Sequence, residues 1–255
     1  MTKPRWNQYV LLKGHGVPDF WNQHLADAAR SVVVILGRGF DPRMCLGLEA
    51  VLAAGGSGSR DVIGLDFREG PQSPSLKHQD LVDANWQRVT GAVGTRGSVS
   101  IRPVEFWSEE GRRVSSQSAR DLFASEDDLA SYTDIVVDIS SMPRSVYFPL
   151  IARVLYMLDN PTRSNRAANL HVLVAEDPAL DAGIHEEGID EKAEFMTSFG
   201  GGFDRKPFRL PRCGFPCSPR TGRFNSSEFT TGSSLTRFAP CCHRRRAIRD
   251  VRTRL

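Results

Sequence analysis

Two short polar segments gather most of the residues able to do chemistry, and each follows an apolar, β-branched run. The first is Gly37-Arg38-Gly39-Phe40-Asp41-Pro42-Arg43. Gly37 and Gly39 allow close backbone approach or positive φ. A helix starting just beyond would turn its N-terminal amides toward an anion, with Arg38 or Arg43 adding a bidentate grip on phosphate. The same residues also spell a tight turn in which Asp41 caps the helix and Pro42 takes its first position, and both readings stay open at this point.

The second segment is Asp138-Ile139-Ser140-Ser141-Met142-Pro143-Arg144-Ser145. An acidic residue closing a buried strand needs a partner or a solvated cleft. Two hydroxyls and an arginine then stand directly before an apolar helix. Ser140, Ser141 and Arg144 could hold a phosphate with the helix amides, leaving Asp138 for a ribose hydroxyl, a metal or a water. A purely structural reading has Ser141 or Ser145 capping the helix and Asp138 paired with Arg144.

Other acidic residues follow apolar runs. Asp66, in Asp66-Phe67-Arg68-Glu69, could contact a ribose; Glu105, before Phe106-Trp107, would set a carboxylate beside a stacking ring; Glu176-Asp177 comes later. His15, His24, His78 and His171 occur singly, without ligand spacing, and read as structural or exposed, so no metal site is assigned. Tyr147 and Tyr156 belong to an apolar helix and read as core. G-x-G without its third glycine is not a dinucleotide fingerprint, and G-x-x-x-x-G-K-[ST], H-E-x-x-H and G-x-S-x-G do not occur. The residues name no cofactor.

The elements that must position these segments are legible from pattern. Apolar runs cover Ser31–Leu36, Asp61–Phe67, Val99–Phe106, Asp134–Ile139 and Leu170–Ala175. The first, fourth and fifth are nearly continuous, as in strands covered on both faces. Helical patterns lie between them at Met44–Ala54, Lys77–Val93, Ala119–Tyr132 and Ser145–Leu158, with Pro18–Ala29 ahead of the first strand and an acidic stretch, Ala179–Phe195, after the last. Strict alternation predicts right-handed crossovers and a Rossmann-like α/β fold: a parallel sheet of about five strands with helices on both faces. In such sheets ligands bind at the carboxyl ends of the strands, where the strand order reverses.

A glycine-containing loop after the first strand, paired with D-I-S-S-M-P-R after the fourth, resembles the sensor domains of CARF type that grip cyclic oligonucleotides with the equivalent loops. There the second loop is of D-[ILV]-[ST]-G-G-T-K type, whereas here Ser141-Met142-Pro143-Arg144 stands in its place. The architecture is also similar to TIR-like and deoxyribosyltransferase-like domains, which cleave nucleotides at the glycosidic bond with a pocket glutamate; Glu105 or Glu69 would be the candidates. The resemblance spans residues 31–176. It implies a nucleotide ligand and a bacterial signalling or defence role.

Charge divides the chain. Of 33 Lys/Arg and 30 Asp/Glu, residues 205–255 hold 13 and 2, leaving 20 against 28 in residues 1–204. The body, residues 1–204, is one domain by size. It has a single cysteine, Cys45, lacks an apolar run near the ~18 residues of a membrane helix, and starts without a signal-peptide pattern; the expected setting is the reducing cytoplasm. The tail has no apolar periodicity and predicts disorder. Cys213, Cys217, Cys241, Cys242 and His243 are poorly spaced for one zinc site, and the Arg-rich run lacks the lysines and aromatics of a nucleic-acid arm. A third reading is favoured, in which the tail is translated out of register: shifting GC-rich codons from Leu210 by one nucleotide yields amphipathic, helix-like stretches. The body alone therefore carries the functional expectation. That expectation is a nucleotide-like small molecule at 37–43 and 138–145, with Arg38, Arg43 and Arg144 on phosphate, Ser140 and Ser141 donating, and Asp66 or Asp138 on a ribose hydroxyl. The alternatives are a nucleotide or N-glycosidic hydrolase using Glu105 or Asp138 in the same pocket, and a non-catalytic subunit that meets a protein partner or its own copy.

Overall fold

A computed structural model describes residues 9–27, 30–71, 73–159 and 169–183. The basic tail, with its cysteines, and nearly all of the acidic stretch after Pro178 lie outside the described residues. Five strands form one parallel sheet: β1 (Val32–Arg38), β2 (Arg60–Arg68), β3 (Val99–Glu105), β4 (Asp134–Asp138) and β5 (Asn169–Leu173), in the order β3-β2-β1-β4-β5. The chain steps outward from β1 to β3, then returns to the other side of β1 for β4 and β5. The reversal falls between β1 and β4, which pair from Val32↔Asp134 to Leu36↔Asp138.

The helices are α1 (Gly16–His24), α2 (Arg43–Ala53), α3 (Gln79–Val93), α4 (Ser115–Arg120), α5 (Arg144–Asp159) and the short α6 (Pro178–Asp181). Strand alternation sends Val33 and Ile35 of β1 and Ile135 and Val137 of β4 into one core with Val146, Leu150 and Val154 of α5. Val32, Val34, Leu36 and Val136 enter the opposite core with Trp21 of α1, Leu48 and Val51 of α2 and Val89 of α3. Both faces of the sheet are therefore covered, as continuous apolar β1 and β4 require. Each such side chain contributes about 1.5–3 kcal/mol by leaving water. Gly64 of β2 has no side chain because the Trp86 ring packs onto its Cα.

Pro149 sits inside α5 and has no amide to give the carbonyl of Ser145. The Ser116 hydroxyl of α4 supplies the missing donor at 3.0 Å, so α4 and α5 are joined where the helix ladder is broken.

Three expectations need correction: Tyr156, read as core, stands 66% exposed on α5, and the other two concern a helix and a strand. The helical pattern over Ala119–Tyr132 resolves into the end of α4, an irregular stretch and a 3-10 turn at Glu126–Leu129. The carbonyls of Leu122, Phe123 and Ala124 are taken by guanidinium groups, Arg102 on the first and Arg153 on the other two. Ser125 then caps the turn by a reciprocal arrangement with Asp128. The apolar β5 pattern suggested cover on both faces, yet β5 is the last strand of the sheet and Val172 is 49% exposed among the described residues. Among the described residues no helix is long and apolar enough to cross a membrane.

Candidate functional site at the strand-order switch

The loops after β1 and β4 meet, as the order reversal requires. Ser141 donates its hydroxyl to the carbonyl of Gly37 at 3.1 Å. A side chain at Gly37 would strike the Phe67 ring and the Ser141 carbonyl, so glycine is needed there for the two loops to close. Met142 turns away from the junction into the core beside Val146.

Within the β1 loop, the arginines are already engaged. Arg38 pairs with Asp66 at 2.9 Å, across the β1–β2 register, and with Asp83 of α3 at 2.8 Å. Arg68 adds a third contact to Asp66, at 2.8 Å. Asp41 accepts the Arg43 amide at 2.9 Å and is gripped on both oxygens by the Arg43 guanidinium. The anion at the start of α2 is thus the carboxylate of Asp41 itself, as the capping reading has it, although the helix begins one residue later than that reading placed it, with Pro42 in the cap position and Arg43 first. The Gly39 carbonyl accepts from Asn85 at 3.1 Å. Phe40 stands 43% exposed, its ring 4.8 Å from that of His78.

The β4 loop divides its polar groups differently. Asp138 points under α2 and is 1% exposed. Ser140 donates its amide, at 3.0 Å, and its hydroxyl to Asp138 Oδ1, and that hydroxyl accepts from the Ala175 amide at 2.8 Å. Asp138 Oδ2 has no hydrogen-bond partner. It lies against Gly47 of α2, where any Cβ would overlap it. Burial pushes the carboxyl up to about 6, against the opposing effect of the Ser140 bonds. Arg144 opens α5, is exposed, and makes no hydrogen bond or ion pair with the described residues, so it does not pair with Asp138. The Ser145 hydroxyl is buried without a partner.

The two carboxylates read as catalytic do not face one pocket. Glu105 ends β3, exposed, with its amide on the Ser118 hydroxyl. Three strand steps separate β3 from β4, or ~14 Å across the sheet. Glu69 accepts from the Ser73 and Ser75 hydroxyls.

At the opposite edge, the amino end of the strands, the structure joins residues that the sequence left scattered. His24 of α1 and His171 of β5 both place Nε2 on Asp134 Oδ1, at 2.7 and 2.9 Å. No sequence signal marks this cluster: its members lie 110 and 37 positions apart. Only the leading Asp of β4, set before three apolar residues, hints that a buried carboxylate needs partners.

This geometry defines a Rossmann-like α/β domain with a polar loop pair at its strand-order switch. No family model matches the chain, and no curated protein shows detectable sequence similarity to it.

Proposed function

We propose that the chain binds a nucleotide-like anionic small molecule over the junction of the β1 and β4 loops. The observation that carries this reading is the direct Ser141–Gly37 contact at the switch of strand order, with Arg144 free of any acidic partner among the described residues at the start of α5. Helix amides and an unpaired guanidinium suit a phosphate. Arg38 and Arg43, each spent on carboxylates, hold the β1 loop in shape and leave the anion to Arg144. The exposed Phe40 ring offers a face for a base.

A thermal-shift screen of mononucleotides, dinucleotides and cyclic oligonucleotides tests the reading. A ligand at ~100 times its Kd should stabilise the fold by ~2.7 kcal/mol. Arg144→Ala should abolish the shift while leaving the unliganded melting temperature unchanged. Absence of any shift, or a shift that survives in Arg144→Ala, refutes the proposal. The hydrolase reading draws on one observation, the Asp138 carboxyl with its unpartnered oxygen and raised pKa. Because α2 covers that oxygen at Gly47, the reading requires α2 to shift; turnover of a bound nucleotide should then be lost in Asp138→Asn with binding retained.

A further inference from the structure

The second polar cluster lies far from the junction and has its own chemistry. Asp134 is the first residue of β4, His24 sits in the last turn of α1, and His171 is central in β5. Their side chains are 0%, 17% and 16% exposed. One ligand atom from each lies within 4.8 Å of the others.

The hydrogen-bond count at Asp134 is unbalanced. A carboxylate oxygen offers about two lone-pair directions, yet Asp134 Oδ1 meets His24 Nε2 at 2.7 Å, His171 Nε2 at 2.9 Å and Asn169 Nδ2 at 3.0 Å. Both imidazoles would have to carry their proton on Nε2 and crowd it toward one atom. A cation between them removes the conflict, since each Nε2 then presents a lone pair and the oxygen a negative charge. The second oxygen is held from outside, by the Thr133 hydroxyl at 2.8 Å and Arg30 at 3.3 Å, as outer partners orient a ligating carboxylate. The rings are fixed too: Phe20 stacks on His24 at 5.0 Å, and Trp21 meets His171 edge-on at 5.0 Å.

We infer that His24, Asp134 and His171 form a three-ligand site for a divalent first-row transition-metal ion of the zinc type. Two imidazoles and one carboxylate are a donor set suited to such ions and leave at least one position for water or a ligand. A cleft of about 330 Å³ lined by Phe20, Gln23, His24, Asp27 and Arg30 reaches the cluster at His24. Binding ties α1 to β4 and β5, so occupancy also stabilises the fold.

The experiment uses the full chain, stripped with a chelator, dialysed and titrated with Co²⁺, then with Zn²⁺ in competition. One equivalent should bind with visible d–d bands and no sulfur-to-metal charge-transfer absorption, and should raise the melting temperature. His24→Gln and His171→Gln should each weaken binding by more than about a hundredfold. A folded wild-type chain that takes up neither ion overturns the inference, because the cluster is then only a cradle for a buried carboxylate. Uptake unchanged in both variants overturns it as well. So does uptake with thiolate absorption that disappears when Cys213, Cys217, Cys241 and Cys242 become serine. Should a glutamine variant fail to fold, X-ray absorption of the wild-type Co²⁺ complex reads the shell directly. Two imidazoles with oxygen support the site; sulfur, or no imidazole, refutes it.

Discussion

Replacing Asp138 with asparagine should flatten part of the pH dependence of stability. The wild-type carboxyl titrates near 3.8 when unfolded and at about 6 when buried under α2. An acid whose pKa is raised by folding binds its proton more tightly in the native state, so stability falls as pH rises from the lower value to the higher, then levels off. The whole shift is worth about 3 kcal/mol. Between about pH 4.5 and about pH 8 the part still to be lost is about 2 kcal/mol, because some titration has already occurred at the lower end. Asparagine keeps an oxygen for the Ser140 amide and hydroxyl, but places an NH₂ against Gly47 and Leu173. That misfit costs the same at every pH and drops out of the comparison. Asp134, held far below the usual carboxylate range by its hydrogen bonds despite burial, stays ionised across this window. Urea unfolding of both proteins at the two pH values measures the effect: the wild type should lose about 2 kcal/mol more than Asp138→Asn. Parallel pH profiles would refute the claim that burial of this carboxyl, with one oxygen left bare, raises its proton affinity.

Gly47→Ala should destabilise the domain, although alanine is the better helix former by about 1 kcal/mol. The new methyl group would overlap Asp138 Oδ2 and the Leu173 side chain, an overpacking that costs about 1–3 kcal/mol. In the Gly47→Ala, Asp138→Ala double variant, urea melts should show less loss than the sum of the two single changes. Arg60→Met removes a fully buried guanidinium that bonds the carbonyls of Arg30, Ser59 and Gly55 at 2.8, 2.9 and 3.1 Å. The loss should be about 3 kcal/mol, and a chemical-denaturation midpoint equal to wild type would refute the bracing role.

The sheet was legible because its evidence is local and repeated. Apolar runs such as Val32–Leu36 and Ile135–Val137, short and β-branched, fit buried strands better than helices, and the alternation with helical patterns leaves few topologies. The approach of Gly37 to Ser141 followed from that topology, since both loops flank the reversal of strand order. Partner choice was not legible. Whether Arg38 holds a ligand or Asp66 depends on the strand register, and whether Asp41 welcomes an anion or replaces one depends on the rotamer of Arg43. His24 and His171 look like isolated histidines in the sequence because α1, β4 and β5 bring them together only in the folded chain. The break after α4 was hidden for a similar reason: Arg102 and Arg153, distant in sequence, satisfy the carbonyls that helical periodicity would have assigned to the ladder.

Strand β4 has a carboxylate at each end and only Ile135, Val136 and Val137 between them. A stretch of this kind, apolar on both sides, would by itself slide past β1 with little penalty, because each displaced residue finds another greasy neighbour. The terminal acids forbid that slippage. A shift of two positions, the smallest that preserves which side chains face which layer, would drag one carboxylate into the middle of the hydrocarbon and strip it of its donors. The two aspartates thus act as stops, one at each end of the groove, and the central alignment of the sheet is set by where charge is tolerated.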